Sequence, residues 1–273
     1  MNRLFVAYKP PFISSNGFLQ RLKRKYNVRR AGFSGTLDPF ASGVLIVAFE
    51  QYTRLFALLD KTPKRYRAVL WLGAQSETLD IEKITSVCEV PAVSIEKINS
   101  VFMELTGEIE QFPPRFSALK VGGQRAYKLA RGGVDFAIKP RRTRVDSLKL
   151  LAYCHPFVTF ECVVGEGCYV RSLGLEIAKR LGAAGALSSL SRLSEGGFMF
   201  DNERALDPKD HINLPRNRFL GSERTLFDAK KCAAEEFAIR ANGDYLVEAA
   251  DFFVVIRIQE GNVRYLLGHI SAT

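Results

Sequence analysis

Asp38 is the first carboxylate in the chain; the 37 residues before it hold eight Lys or Arg and no acid. It sits in Ala31-Gly32-Phe33-Ser34-Gly35-Thr36-Leu37-Asp38-Pro39-Phe40-Ala41-Ser42-Gly43. Taken alone, Asp followed by Pro also reads as a helix cap, with proline in the first helical position. The setting favours chemistry. Gly32 and Gly35 let backbone approach a ligand closely, and Leu37 and Phe40 supply an apolar wall. A carboxylate at the edge of a cationic surface stays ionised when an Arg is near it. That is the form a nucleophile or a general base needs.

The segment Arg30 to Pro39 resembles the signature of TruB-type pseudouridine synthases, and further motifs of that family recur in the right order. Tyr8-Lys9-Pro10-Pro11-Phe12-Ile13-Ser14-Ser15-Asn16 is similar to its first motif, and Lys64-Arg65-Tyr66-Arg67 to its second catalytic one. Pro113-Pro114-Arg115-Phe116-Ser117-Ala118-Leu119-Lys120, with Gly123, Arg125, Ala126, Tyr127, Ala130 and Arg131 after it, resembles an RNA-gripping segment. Gly167-Cys168-Tyr169-Val170-Arg171-Ser172-Leu173 and Ser191-Arg192-Leu193 resemble two later active-site segments. The likeness spans about residues 3 to 205.

The resemblance implies a tRNA pseudouridine synthase acting on the T-loop uridine at position 55. In it Asp38 is the catalytic aspartate, Tyr66 stacks on the target base and helps move its C5 proton, and Arg171 holds Asp38 ionised. Leu193 walls the pocket, and Tyr8 and Lys9 contribute to substrate binding. Lys120, Arg125, Tyr127 and Lys128 grip the RNA. The reaction breaks the C1′–N1 bond, turns the uracil and rejoins it through C5, so no cofactor or metal is implied. A stacked base must first be flipped out, and an aromatic face then replaces the lost stacking. Phe33 stands where the family usually has histidine. It either fills the gap left by the flipped base or packs into the core; both readings stay open here. Many family members end in a larger β domain of the PUA type, whereas about 48 residues follow position 225 here. The resemblance therefore suggests a trimmed or divergent version.

These residues need elements to hold them. Arg3 to Tyr8 reads as a strand stopped by Lys9-Pro10-Pro11. Ser14 and Ser15 offer a cap for a helix to Tyr26 with Phe18, Leu19 and Leu22 inward. The continuous apolar run Gly43 to Phe49 suits a strand covered on both faces. A short helix is expected over Thr53 to Leu59, a strand over Lys64 to Gly73, and a helix from Ser94 to about Leu105. Residues 112 to 133, with two prolines and four glycines, look like an excursion with a binding task and a short helix near Ala126 to Ala130. Strands are expected near Arg144 to Leu151 and Phe157 to Val164, and a helix from Ser172 to Leu181 capped by Gly182. Past residue 225, short strands near 237–240, 245–248, 252–258 and 263–269 are punctuated by Asn242-Gly243-Asp244 and Glu260-Gly261-Asn262, which are hairpin signals. The mixture lacks βαβ alternation, so the expected class is α+β: a mixed, largely antiparallel sheet flanked by helices. Residues 1–225 would form the catalytic domain and 226–273 a small β appendage.

Composition narrows the partners. The 273 residues carry a net charge of +10. Residues 115–149 hold ten Lys or Arg against Asp135 and Asp146, so together with the first 37 residues they carry +16 and the remainder −6. Such blocks point to a polyanion; the resemblance implies that it is tRNA, held by its T arm. No apolar run nears the roughly 18 residues needed to span a bilayer, and no leader pattern opens the chain. Together with five scattered cysteines, lacking metal or redox spacing, this suggests a cytoplasmic protein. It is expected to act as a monomer, without a membrane or protein partner. A non-catalytic RNA binder would have no need of the full Asp38, Tyr66, Arg171 set. A glycoside hydrolase would need a second carboxylate, which the matched motifs do not offer.

Overall fold

The computed structural model describes residues 1–272. In chain order the first half contains β1 (Arg3–Lys9), α1 (Ser15–Lys25), β2 (Ala31–Phe33), β3 (Ser42–Phe49), β4 (Lys64–Leu72), β5 (Ala74–Ser76), β6 (Ile84–Val87), α2 (Ile95–Glu104) and β7 (Gly107–Gln111). Next come β8 (Lys120–Val121), β9 (Gln124–Arg125), α3 (Ala126–Arg131), β10 (Arg141–Cys154), β11 (Phe157–Val164), α4 (Val170–Arg180), β12 (Gly185–Glu195) and β13 (Ala205–Leu206). The chain closes with β14 (Arg216–Asn217), α5 (Glu223–Phe227), β15 (Gly243–Glu248), β16 (Phe252–Gln259) and β17 (Asn262–Ser271).

Nine strands make the main sheet, in the order β13-β1-β3-β12-β4-β11-β10-β7, with β2 branching from β3. Every pairing in it is antiparallel except β3 with β12. This is the largely antiparallel α+β arrangement expected. A second sheet, β14-β15-β16-β17, follows.

The apolar run of β3 explains how the layers stack. Side chains alternate between faces along a strand. Leu45, Val47 and Phe49 therefore meet Phe18, Leu19 and Leu22 of α1. Val44, Ile46 and Ala48 face the other way and meet Leu246, Phe253, Val255 and Ile270 of the second sheet. Each fully buried Val, Leu, Ile or Phe among them is worth roughly 1.5–3 kcal/mol. The C-terminal strands thus complete a core that the main sheet cannot close alone. A third core lies under the site: Tyr66, Ala68, Leu70 and Leu72 of β4 pack with Phe160, Cys162, Leu173 and Ile177.

Several local expectations need correcting. The 3-10 turn Glu50–Arg54 replaces the helix expected over Thr53 to Leu59. Residues 237–240 are not a strand; Phe237 makes only an isolated bridge with Phe219. Asn242-Gly243-Asp244 opens β15 rather than turning a hairpin, because β15 and β16 are joined through residues 249–251. The helix capped by Gly182 begins at Val170, not Ser172. Strand β12, central to the sheet, was not anticipated: Ser188 to Ser191 look like surface, yet the strand is enclosed by β3 and β4.

Candidate active site

The loop between β2 and β3 carries Asp38. The Ser15 hydroxyl, at the start of α1, donates to the Leu37 carbonyl and accepts from the Leu37 amide, at 3.0 and 2.9 Å. The ammonium of Lys9 is fully buried and donates to the carbonyls of Pro10, Ile13 and Pro39 at 2.9, 2.7 and 3.2 Å. Asp38 is therefore flanked on both sides by residues tied to the β1–α1 connection. Burial pushes the Lys9 ammonium down to about 8, and Asp38 is the largest influence raising it. Lys9 supports this loop from behind and does not face the cavity.

Arg171, on the first turn of α4, is 4% exposed and occupies four acceptors. One terminal nitrogen donates to Asp38 Oδ1 at 2.7 Å and to the Phe116 carbonyl at 3.0 Å. The other donates to the Thr78 carbonyl at 2.7 Å and to Asp80 Oδ2 at 3.3 Å. Asp80 is buried; its Oδ1 accepts from the Thr78 hydroxyl at 2.6 Å and from the Glu82 amide at 2.9 Å, capping a 3-10 turn. Asp38 is therefore not a solitary carboxylate but one arm of an aspartate–arginine–aspartate group. Its side chain is 30% exposed through the cavity and enclosed by protein elsewhere. Burial pushes its carboxyl up, the Arg171 guanidinium pulls it back, and the Asp80 charge pushes it up again.

The cavity above Asp38 is lined by Leu37, Tyr66, Ser117, Arg171, Leu190 and Arg192 among others. Tyr66 is 8% exposed. Burial pushes its phenol up to about 12, with Arg192 opposing, so at neutral pH it offers a ring face and a protonated hydroxyl. The Ser117 hydroxyl is buried and has no partner within the protein.

A second buried arginine forms part of this wall. Arg192 Nε donates to the Val44 carbonyl and a terminal nitrogen to the Gly35 carbonyl, both at 2.8 Å. It pairs with Glu195 at 3.2 Å, both side chains 1% exposed. Glu195 accepts from the Ser34 hydroxyl at 3.1 Å. The parallel pairing of β12 with β3 makes this possible and demands glycine. At Gly43 (φ +115°) a Cβ would lie 2.2 Å from the Arg192 carbonyl oxygen.

The remaining anticipated residues fall in three places. Tyr8 is half-exposed at the end of β1, its hydroxyl 3.3 Å from Ser191 Oγ and its ring edge-on to Phe200. Phe33 is half-buried beside the α1 core and does not line the cavity. Leu193 is outside the wall as well; Leu190 and Arg192 occupy the cavity-facing positions of β12. Lys120 and Arg125 are exposed on the β8–β9 hairpin, and Lys128 is exposed on α3, where Tyr127 is half-buried. Arg125 donates to the Ala118 carbonyl; Lys120 and Lys128 have no ion pair among the described residues. The base of this excursion is tied down by the Ser172 hydroxyl on the Phe112 carbonyl and by Arg171 on Phe116. Among the described residues no group of three or more His, Cys, Asp or Glu could hold a metal, and no helix is long and apolar enough to cross a membrane.

A profile of the TruB family pseudouridylate synthases, N-terminal domain, matches residues 23–170. The chain belongs to this family. Among its relatives, proteins named tRNA pseudouridine synthase B are similar along nearly their whole length. The one from a Sulfurovum species is 50% identical over 270 residues, covering 99% of this chain and 98% of that one. The Nitratiruptor protein is 48% identical with the same coverage, and the Campylobacter jejuni protein 43% identical over 271 residues, 99% of each. Two solved structures share the fold. One is described as a Cbf5-Nop10-Gar1 complex, with a TM-score of 0.66 at 21% identity over 99% of this chain and 84% of that one. The other, an archaeal box H/ACA sRNP Nop10-Cbf5 complex, gives 0.65 at 19% identity, over 98% and 84%. As a TruB-family member the chain is an isomerase of the pseudouridine-synthase type.

Sequence reasoning missed Asp80 and Glu195 around this site, and it quoted Arg192 and Ser117 within motifs without giving either a role. Asp80 lies in an acidic stretch where one more carboxylate attracts no notice. Its only local mark is Asp two positions before Glu82, a cap signal for a very short turn.

Proposed function

We propose that this protein converts the T-loop uridine at position 55 of tRNA to pseudouridine, acting as a monomer in the cytoplasm and gripping the T arm. The observation that carries the reading is the Asp38–Arg171 pair at the floor of a cavity beside Tyr66, in a chain similar over its full length to synthases of that name. Asp38 is the catalytic group, and Arg171 holds it charged and aimed. The flipped uracil stacks on Tyr66. The C1′–N1 bond breaks, the ring turns, and a C1′–C5 bond forms; C5 gives up its proton and N1 gains one, so the isomerisation balances without any donor. Lys120, Arg125, Tyr127 and Lys128 contact the RNA from the excursion. Lys9, Phe33 and Leu193 support the site from behind. Residues 1–225 act as the catalytic unit, and 226–273 as its structural complement.

The test is pseudouridine formation on an unmodified tRNA transcript, with Asp38→Asn run alongside. Conversion of the T-loop uridine by the wild type, and binding without conversion by the variant, is the expected result. Binding without conversion by both would sink the enzymatic reading, and modification at another site would sink the assigned target.

A further inference from the structure

Phe12 combines two features that are each unfavourable. Its backbone is left-handed (φ +61°), a region that bulky residues rarely adopt. Its ring is 72% exposed. Neither packing nor local hydrogen bonding accounts for the residue type: glycine would relieve the backbone, and asparagine tolerates it. A large aromatic held in strain at the surface is the pattern of a functional constraint.

Its position says what the constraint is. Phe12 lies in the turn between β1 and α1, and both ends of that turn are pinned to the Asp38 loop, Lys9 to Pro39 and Ser15 to Leu37. Lys9 also holds the carbonyls of Pro10 and Ile13 on either side of Phe12. The ring is thus rigidly placed relative to the catalytic carboxylate but outside the cavity that would receive the uridine. The helix that follows leads from this turn to a run of unpaired cations. Arg21 and Arg24, in the second half of α1, with Arg29 and Arg30 beyond its far end, are exposed and form no ion pair among the described residues; acids bonded to this stretch are Glu203, on Lys25, and Glu50, on the Arg30 amide. A fixed aromatic face followed along the same element by unpaired cations suits a single strand of nucleic acid, one base stacking while phosphates further along the strand meet the charges.

We propose that Phe12 is a stacking platform for an unpaired nucleobase of the RNA, distinct from the base being modified. This rests on the reading of the protein as an RNA-modifying enzyme. Stacking on an aromatic is tolerant of base identity and insensitive to salt, unlike phosphate contacts.

The test measures binding of unmodified tRNA transcript in the Asp38→Asn background, so that no turnover intervenes, with thermal melting of the same proteins. Phe12→Gly and Phe12→Asn should melt at or above the parent, because strain is relieved. They should weaken Kd by roughly five-fold or more, by the same factor at low and moderate salt. Phe12→Trp should restore binding. Parental affinity in the Gly and Asn variants overturns the proposal. So does a Phe12→Trp protein that binds as weakly as Phe12→Gly, or a Phe12→Gly protein that melts well below the parent, since either makes the ring a folding element. Wild-type conversion of the same transcript, assayed in parallel, separates this outcome from failure of the enzymatic reading: conversion with unchanged Phe12 binding discards the platform alone.

Discussion

Two buried arginines flank the same cavity, and they are used in opposite ways. Arg192 and Glu195 are each 1% exposed, and their further partners are the Gly35 and Val44 carbonyls, the Ser34 hydroxyl, the Tyr66 phenol and the Lys64 ammonium. Arg171 is as deeply buried, yet one of its carboxylates, Asp38, opens to the cavity. Guanidinium and carboxylate are the same in each case. What differs is whether the carboxylate has an exit. A sealed pair resists change, because removing one partner strands the other charge in a poor dielectric. An open pair keeps a charge where a substrate can meet it.

The largest effect that distinguishes them is on turnover. Asp38→Asn should lower the single-turnover rate by roughly 10⁴-fold or more without loss of fold. The stability consequence has a definite sign. Burial and Asp80 raise the Asp38 carboxyl above its unfolded value, so the folded chain holds that proton to higher pH and the ionised form opposes folding at neutral pH. Asp38→Asn should therefore melt at or above wild type at pH 7, with the gap closing as pH falls through the carboxylate range. A variant that melts far below wild type would show Asp38 to be structural, like Glu195.

Arg171→Lys comes next. A lysine is a compact charge that cannot reproduce a planar fork shared between two carboxylates and two carbonyls. The rate should fall by about 10²- to 10³-fold, equivalent to roughly 3–4 kcal/mol, and the acid limb of the pH–rate profile should move upward as Asp38 loses the guanidinium hydrogen bond that opposes its burial. An unshifted limb would break the assignment of Arg171 to that carboxylate. Glu195→Gln sharpens the contrast from the other side. It should destabilise the protein by about 3–5 kcal/mol, measured by denaturant unfolding, while the folded fraction keeps a rate within a few-fold of wild type. Smallest is Lys128→Ala: tRNA affinity should fall several-fold, and the slope of log K against log salt should lessen by about one.

The C-terminal strands extend the contrast in charge. Residues 226–273 carry five Lys or Arg against seven Asp or Glu, in a chain that is +10 overall. Their contribution lies in Leu246, Phe253, Val255 and Ile270, which cover β3. Phosphate contacts are better sought on α1 and the excursion.

How much of this was legible follows from what each signal measures. Strand β3 could be read because both its faces are covered, and α1 because its apolar residues recur at helical spacing. Asp38, Tyr66 and Arg171 each sit in recognisable motifs, and the structure brings all three to one cavity. Strand β12 was opaque because its serines say nothing of the two strands enclosing it. Asp80 was opaque because its partner is 91 residues away, and no local pattern carries such a contact. Lys9 lies behind the Asp38 loop, and Phe33 packs beside the α1 core, the second of the two readings left open for it: a motif reports proximity, not the direction in which a side chain points.

The four acceptors on Arg171 have a consequence for how this protein can vary. Asp38, Asp80, the Thr78 carbonyl and the Phe116 carbonyl share a single guanidinium, so the cavity carboxylate and the root of the excursion draw on the same donors. Substitutions at these positions should not combine independently; coupling of roughly 0.5–3 kcal/mol is the usual scale for residues within one network. The excursion's tip can drift in sequence freely, while its root at Phe116 is bound to the fate of Asp38. In a library varying both, surviving combinations should be correlated at the root and uncorrelated at the tip.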